Sequence, residues 1–340
     1  MPTQTLEPFR KNANAAAIAG DRFLTVEQNP QRALHCYEEA LFYQQQILAQ
    51  EGPTAMRLGT ITLALISVAE VLRHHLSQGK RALQFYAAAC QVHYQLIHQY
   101  GETAERNAEL TKTLEALAQL YLEREEMTAA IDTYQQALTL HQVTLKEFGP
   151  TVSRIKALTI AVDRIAQVYH RVGRFACSQK LREEHLALCR QYIKVMGPTD
   201  DLLHSLSKAV EGLAQHHFDL DNIRQSQQVC AEHLAECRKL FVNENPSVAL
   251  LETLAEALVN CGDVADQPHR SLFGEEKGGL QDFYGEALEL RRKLLVENEQ
   301  TAPRLSALAE LLEKMADVEE AAPFPLLGGT KNVAVADWYE

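Results

Sequence analysis

Cys230, His233 and Cys237 stand at i, i+3 and i+7, the spacing of one helix face, and His216 and His217 precede them by less than 25 residues. Thiolate and imidazole are the ligands zinc prefers, three or four of them at about 2.0–2.3 Å from the ion. The set His217, Cys230, His233 and Cys237 is therefore a candidate metal centre. No CxxC pair or HExxH motif supports it, and the same residues also read as adapted core positions. The seven cysteines are odd in number and scattered, which fits free thiols in a reducing, cytoplasmic setting. For catalysis there is no GxSxG elbow, no phosphate-binding glycine loop and no framed carboxylate pair, so the expectation is a protein that is not an enzyme and takes no cofactor.

The second group is basic and polar: Arg73, His74, Lys112, Arg164, His170 and Arg171, interleaved with Glu70, Gln119, Gln167 and Gln215. The net charge of −12 argues against nucleic acid, whose binders need a basic surface. The charge is uneven. Residues 1–200 hold 21 Lys+Arg against 20 Asp+Glu, while 201–340 hold 12 against 25. No run of 18 uninterrupted apolar residues marks a membrane span, and the Ala-rich start is a poor signal peptide.

What positions these groups is a repeat. Gly-Pro-Thr occurs at 52–54, 149–151 and 197–199, and related junctions supply Thr103, Ser247 and Thr301. The marks Thr54, Thr103, Thr151, Thr199, Ser247 and Thr301 are separated by 49, 48, 48, 48 and 54 residues. Other columns keep this phase: Ala40, Ala89, Ala137, His185, His233 and Ala287, and three residues earlier Tyr37, Tyr86, Tyr134, Arg182, Cys230 and Tyr284. An apolar-small pair precedes them at Val68-Ala69, Leu117-Ala118, Ile165-Ala166, Leu213-Ala214, Leu254-Ala255 and Leu308-Ala309. A period of this length is the mark of stacked helical units. Gly is expected to end one helix in the left-handed conformation, Pro to prevent its continuation and Thr to cap the next.

The stretch Leu114–Leu138, with Leu117, Ala118, Tyr121, Ala130, Tyr134 and Ala137, resembles the tetratricopeptide repeat. Units of about 48 residues ending in a glycine junction are similar to those of kinesin light chains and related bacterial proteins. The resemblance implies an all-α, right-handed superhelical solenoid of antiparallel helix pairs, six units and a capping helix. It places an N-terminal extension at 1–12, the solenoid at 13–320 with an exposed insertion near 262–279, and an extended tail at 321–340. On the family pattern the residue after the small column faces a concave groove: Asp21, Glu70, Gln119, Gln167, Gln215, Glu256 and Glu310. That column reads as a ladder for a peptide backbone or, equally, as a solvated helix face.

A groove of this kind makes the protein an adaptor or scaffold for a peptide or partner helix. Its basic middle suits an acidic partner, and neither nucleic acid nor membrane is expected. The alternative is a ligand- or metal-responsive regulatory repeat protein. The family's Lys/Asn clamp for a C-terminal carboxylate is not reproduced, because the ladder has Gln and acids there. The tail holds the only tryptophan, Trp338, beside Asp337 and Glu340. It is similar to cargo peptides of kinesin light chains, so it is a candidate to fold back on the groove.

Overall fold

Arg57, Arg106 and Arg154 each stand three residues beyond a junction threonine, and they show how the junction is built. In a computed structural model, which describes residues 6–240, 247–265, 278–298 and 300–321, the three threonine hydroxyls accept hydrogen bonds from the arginines' own backbone N–H groups. Each guanidinium then reaches back to the last carbonyls of the preceding helix. Arg106 Nη1 lies 2.7 Å from Tyr100 O and 2.8 Å from Gly101 O, and Arg154 makes the same pair to Phe148 O and Gly149 O. A helix end leaves its last carbonyls without donors, and here an arginine supplies them. The fourth junction lacks the device: Leu202 replaces the arginine, and Thr199 makes no side-chain cap bond.

Thirteen helices fill the described residues: α1 (Glu7–Thr25), α2 (Pro30–Glu51), α3 (Ala55–Glu70), α4 (Gly79–Tyr100), α5 (Ala104–Glu123), α6 (Met127–Phe148) and α7 (Val152–Arg171). The rest are α8 (Phe175–Met196), α9 (Asp200–Asp219), α10 (Ile223–Leu240), α11 (Val248–Ala265), α12 (Gly278–Glu297) and α13 (Ala302–Ala321). They run as six pairs followed by a single helix, and no described residue is in a strand. Two compact units divide the chain, Met1–Leu181 and Arg182–Glu340. In the first, Tyr37, Val68, Ala69, Leu72, Tyr86, Leu110, Leu114 and Leu117 share one core; in the second, Cys230, Leu234, Leu258, Cys261, Tyr284 and Leu311 share another.

Two turns set the period. Between the helices of a pair, Gln28, Ser77, Glu125, Gly173 and Asp221 all have positive φ, at intervals of 49, 48, 48 and 48 residues. The extra residue of the longer interval sits just before the turn. Ala69 to Ser77 is eight residues, whereas Ala118 to Glu125, Ala166 to Gly173 and Ala214 to Asp221 are seven. A π-helical turn over Val71–His75 takes up that residue, with Leu76 N donating to Val71 O at 3.2 Å.

Between pairs, Gly52, Gly101 and Gly149 have φ of 77°, 80° and 75° with ψ of 172°, 164° and 162°. The expected left-handed helical conformation is therefore not the one used. Positive φ with extended ψ is open only to glycine, so the chain leaves each helix on a path that an alanine cannot follow.

Two boundaries differ from the sequence reading. Residues 7–12 belong to α1, whose buried Ala13, Ala16 and Gly20 pack on α2, so the first helix starts inside the expected extension. Helix α11 continues to Ala265 with Cys261 and Val264 buried, which moves the start of the insertion beyond the expected 262. Residues 266–277, most of the expected loop, lie outside the described residues, as does the tail from 322 with Trp338. By length and composition alone, Ala55–His75 is apolar enough to cross a membrane, with a mean hydropathy of 1.6. Its buried side, Leu58, Ile61, Leu65, Val68 and Ala69, is packed within the first unit.

Gly101→Ala tests the junction. No heavy atom lies within 4 Å of the Cβ it would add, so the expected loss of about 1–3 kcal/mol is conformational rather than steric. Urea unfolding reads it, and an unchanged midpoint contradicts the junction geometry.

Candidate functional site

The small column and the tyrosine column belong to one contact. In the first pair Gly20 lies under the Tyr37 ring, so that a Cβ there would fall 2.7 Å from Cε1, and the Tyr37 hydroxyl donates to Asp21 at 2.6 Å. In the third, Tyr134 OH donates to Gln119 Oε1 at 3.2 Å over the buried Ala118. In the sixth, Gly262 lies under Tyr284, whose hydroxyl donates to Asp263 at 2.7 Å. The ladder thus reads Asp21, Glu70, Gln119, Gln167, Gln215 and Asp263. The expected Leu254-Ala255 and Glu256 are displaced by seven residues, two helical turns on the same face, and this displaced the column. The same fifteen-residue step from Thr301 puts Ala316 and Asp317, not Ala309 and Glu310, in phase on α13.

In the fourth and fifth pairs, where Arg182 and Cys230 replace tyrosine, the ladder glutamines bond along their own helices. Gln167 donates to Asp163 at 2.8 Å and Gln215 to Asp219 at 2.6 Å. Buried Ser178 and Ser226 instead tie each hairpin by donating to Ala166 O and Ala214 O at 2.9 and 2.8 Å. The ladder is therefore as much an internal fastening as an outward face, although Glu70, Gln119, Gln167 and Gln215 are all exposed.

The basic middle is largely neutralised. Arg73 in the π turn is half-buried, with Nε 3.2 Å from Glu123 and a bond to Ala116 O at 3.4 Å. Burial pulls its pKa down, but the Glu123 hydrogen bond and charge outweigh this and hold it above its ordinary value. Arg164 donates to Glu115 at 2.6 Å, and Glu115 also meets His141 at 3.1 Å. These pairs join first helices of adjacent repeats, so their charge is spent within the stack. Exposed ion pairs of this kind contribute about 0–1 kcal/mol each. Lys112, Arg171 and His74 are exposed, and neither Lys112 nor Arg171 has an acidic partner among the described residues. His170 packs edge-on against Phe175 with ring centroids 4.9 Å apart. Gln215, on α9, belongs to the second unit, so only the other nine candidates share the first.

A row the sequence reading missed crosses these helices. Leu63, Lys112 and Ile160 occupy one equivalent position in three consecutive repeats, and Leu63 and Ile160 are 65% and 45% exposed. The row lies seven residues, two turns, before Glu70, Gln119 and Gln167, on the same helix faces. The signal was present in the 49- and 48-residue spacing of Leu63, Lys112 and Ile160.

The candidate metal ligands do not assemble. His233 Nε2 lies 3.7 Å from Cys237 Sγ, but Cys230 sits in the apolar core with Cys261, and His217 lies near Glu183. Among the described residues no group of three or more His, Cys, Asp or Glu side chains is placed to hold a metal ion. Burial pushes the thiols of Cys230 and Cys237 up to about 12, so they are neutral packing groups.

No family model and no curated protein matches the chain. Among solved structures it is similar to BtubC (BKLC) from P. vanneervenii at 14% identity, covering 90% of this chain and 98% of that one with a TM-score of 0.46. It is also similar to the nuclear import adaptor Nro1 of S. pombe at 10% identity, covering 93% and 98% with a TM-score of 0.49. A tetratricopeptide repeat protein from Parabacteroides merdae is similar at 11% identity, covering 89% and 99% with a TM-score of 0.35. On the geometry of its own units, the chain is a tetratricopeptide-like helical-repeat protein.

Burial also sets a pH response. Desolvation lowers His93, His185 and His233 from 6.5 to about 4, and both ring nitrogens of His93 lack a hydrogen-bond partner. Since their folded values lie below the unfolded one, their stabilisation is full above pH 6.5. It is lost as pH falls from 6.5 towards 4, where the unfolded chain binds protons first. Roughly 1–3 kcal/mol per histidine is at stake over that window. The melting temperature should drop between pH 7 and 4.5, and His93→Leu with His233→Leu should flatten the drop. An unaltered profile in the double variant contradicts the assignment.

Proposed function

We propose that the protein is an adaptor or scaffold that binds a partner peptide or helix on the outer faces of its first helices, within the first unit. The row Leu63, Lys112 and Ile160 carries this reading. Large apolar side chains left in water at matching repeat positions offer a regular set of anchors, with a cation between them. The exposed ladder two turns away supplies amide and carboxylate groups that can pair with a peptide backbone. Repeat arrays commonly present such extended surfaces. The unpaired Lys112 and Arg171 favour a partner with acidic residues beside apolar ones. No catalytic step is part of this reading, and seven free thiols accord with a cytoplasmic setting.

Burying each apolar anchor contributes about 1.5–3 kcal/mol, at least a factor of ten in affinity. Leu63→Asp with Ile160→Asp should therefore weaken a partner isolated from the native host by about a hundredfold or more. The melting temperature should stay unchanged, because both side chains are exposed. Gln91→Glu on α4 serves as a control that should bind like the parent. Equal affinity for the double variant and the parent would contradict the reading.

A further inference from the structure

The fifth repeat has a hole where four other repeats have a ring. Tyr37, Tyr86, Tyr134 and Tyr284 are buried at the same position of their hairpins, and Cys230 stands there in the fifth. A cavity of about 140 Å³, open to solvent, is lined by Ala214, Gln215, Ser226, Cys230, Asn260 and Asp263, with Phe218 and Val264 as apolar walls. Ala214, Gln215 and Cys230 are the repeat equivalents of Gly20, Asp21 and Tyr37, so the lining is the ring's own bed. An enclosed space of about 150 Å³ is enough to hold benzene.

We propose that this slot binds a phenol ring, the tyrosine side chain of a partner peptide, in the place the internal tyrosines occupy elsewhere. The polar groups fit that chemistry. Gln215 donates its amide nitrogen to Asp219, which leaves its carbonyl oxygen to accept, as Gln119 Oε1 accepts from Tyr134. Asn260 has a buried amide nitrogen with no acceptor among the described residues. A phenol hydroxyl both donates and accepts, so one group answers both. Glu211 and Asp263 also line the slot, and each is already paired with a lysine, Lys208 and Lys314. Cys230 itself is a passive wall, since burial pushes its thiol up to about 12. The slot lies in the second unit and is independent of the row proposed above in the first.

The full chain is titrated with p-cresol, toluene and acetyl-Gly-Tyr-Gly-amide, following the melting temperature and ligand-observed NMR. All three ligands should bind, the peptide at least as tightly as p-cresol. Cys230→Tyr fills the slot from within and should abolish the response to every probe. Gln215→Leu, at an exposed site, should weaken p-cresol by about fivefold while leaving toluene unchanged. The Gln215→Leu result decides the matter if Cys230→Tyr does not fold. The proposal is overturned if Cys230→Tyr still responds, if Gln215→Leu binds p-cresol like the parent, or if p-cresol binds and the tyrosine peptide does not. Because no partner of the first unit is used, neither outcome bears on the row of Leu63, Lys112 and Ile160.

Discussion

An aromatic ring lying on a helix that has almost no side chain beneath it is the contact on which four of the six hairpins depend. Gly20 under Tyr37 and Gly262 under Tyr284 let two helices approach at ring thickness, and the hydroxyl then anchors on the next residue of the same helix. At Gly20 and Gly262 the ring lies close enough to make the contact intolerant of a methyl group. Where the ring is missing, a serine hydroxyl donates across the hairpin instead, at Ser178 and Ser226. The fold keeps its spacing by one of these two devices, and the fifth repeat is left with a cavity because serine fastens the helices without filling the space.

Much of this was legible from spacing. The junction marks, the tyrosine column and four of the six small residues lie at one phase, and helix pairs follow from them. The misplacement in the sixth repeat had a physical source. Leu254-Ala255 and Cys261-Gly262 are both apolar-small pairs on one face of α11, and glycine in a helix is disfavoured enough to make the wrong pair look better. The fifteen-residue step from Ser247 and the Tyr284 ring over Gly262 tell them apart. The π turn at Val71–His75 was implicit in a single 49-residue interval, but its location was not.

The functional surface was less legible, because charge in a sequence carries no information on partners. Arg73 and Arg164 looked like a ligand site until Glu123 and Glu115, 50 and 49 residues away, were brought against them by stacking. Partners one repeat distant neutralise a basic cluster as effectively as neighbours in sequence. What remains outward is modest in charge and notable for its apolar members. A repeat protein that binds a partner must leave some of its regular faces unburied, and the first unit does so at Ile18, Met56, Leu63 and Ile160.

A double-mutant cycle on Gly20 and Tyr37, read by urea unfolding of the full chain, addresses the ring contact directly. In the parent, Gly20→Ala should destabilise by about 1–3 kcal/mol, because the new methyl group meets the ring. With Tyr37→Ala in place the ring is gone, and the same change should stabilise by up to about 1 kcal/mol, the ordinary gain of alanine over glycine inside a helix. The account predicts that reversal of sign. Gly20→Ala stabilising the chain by the same amount in both backgrounds would show that no ring lies there, and would contradict it.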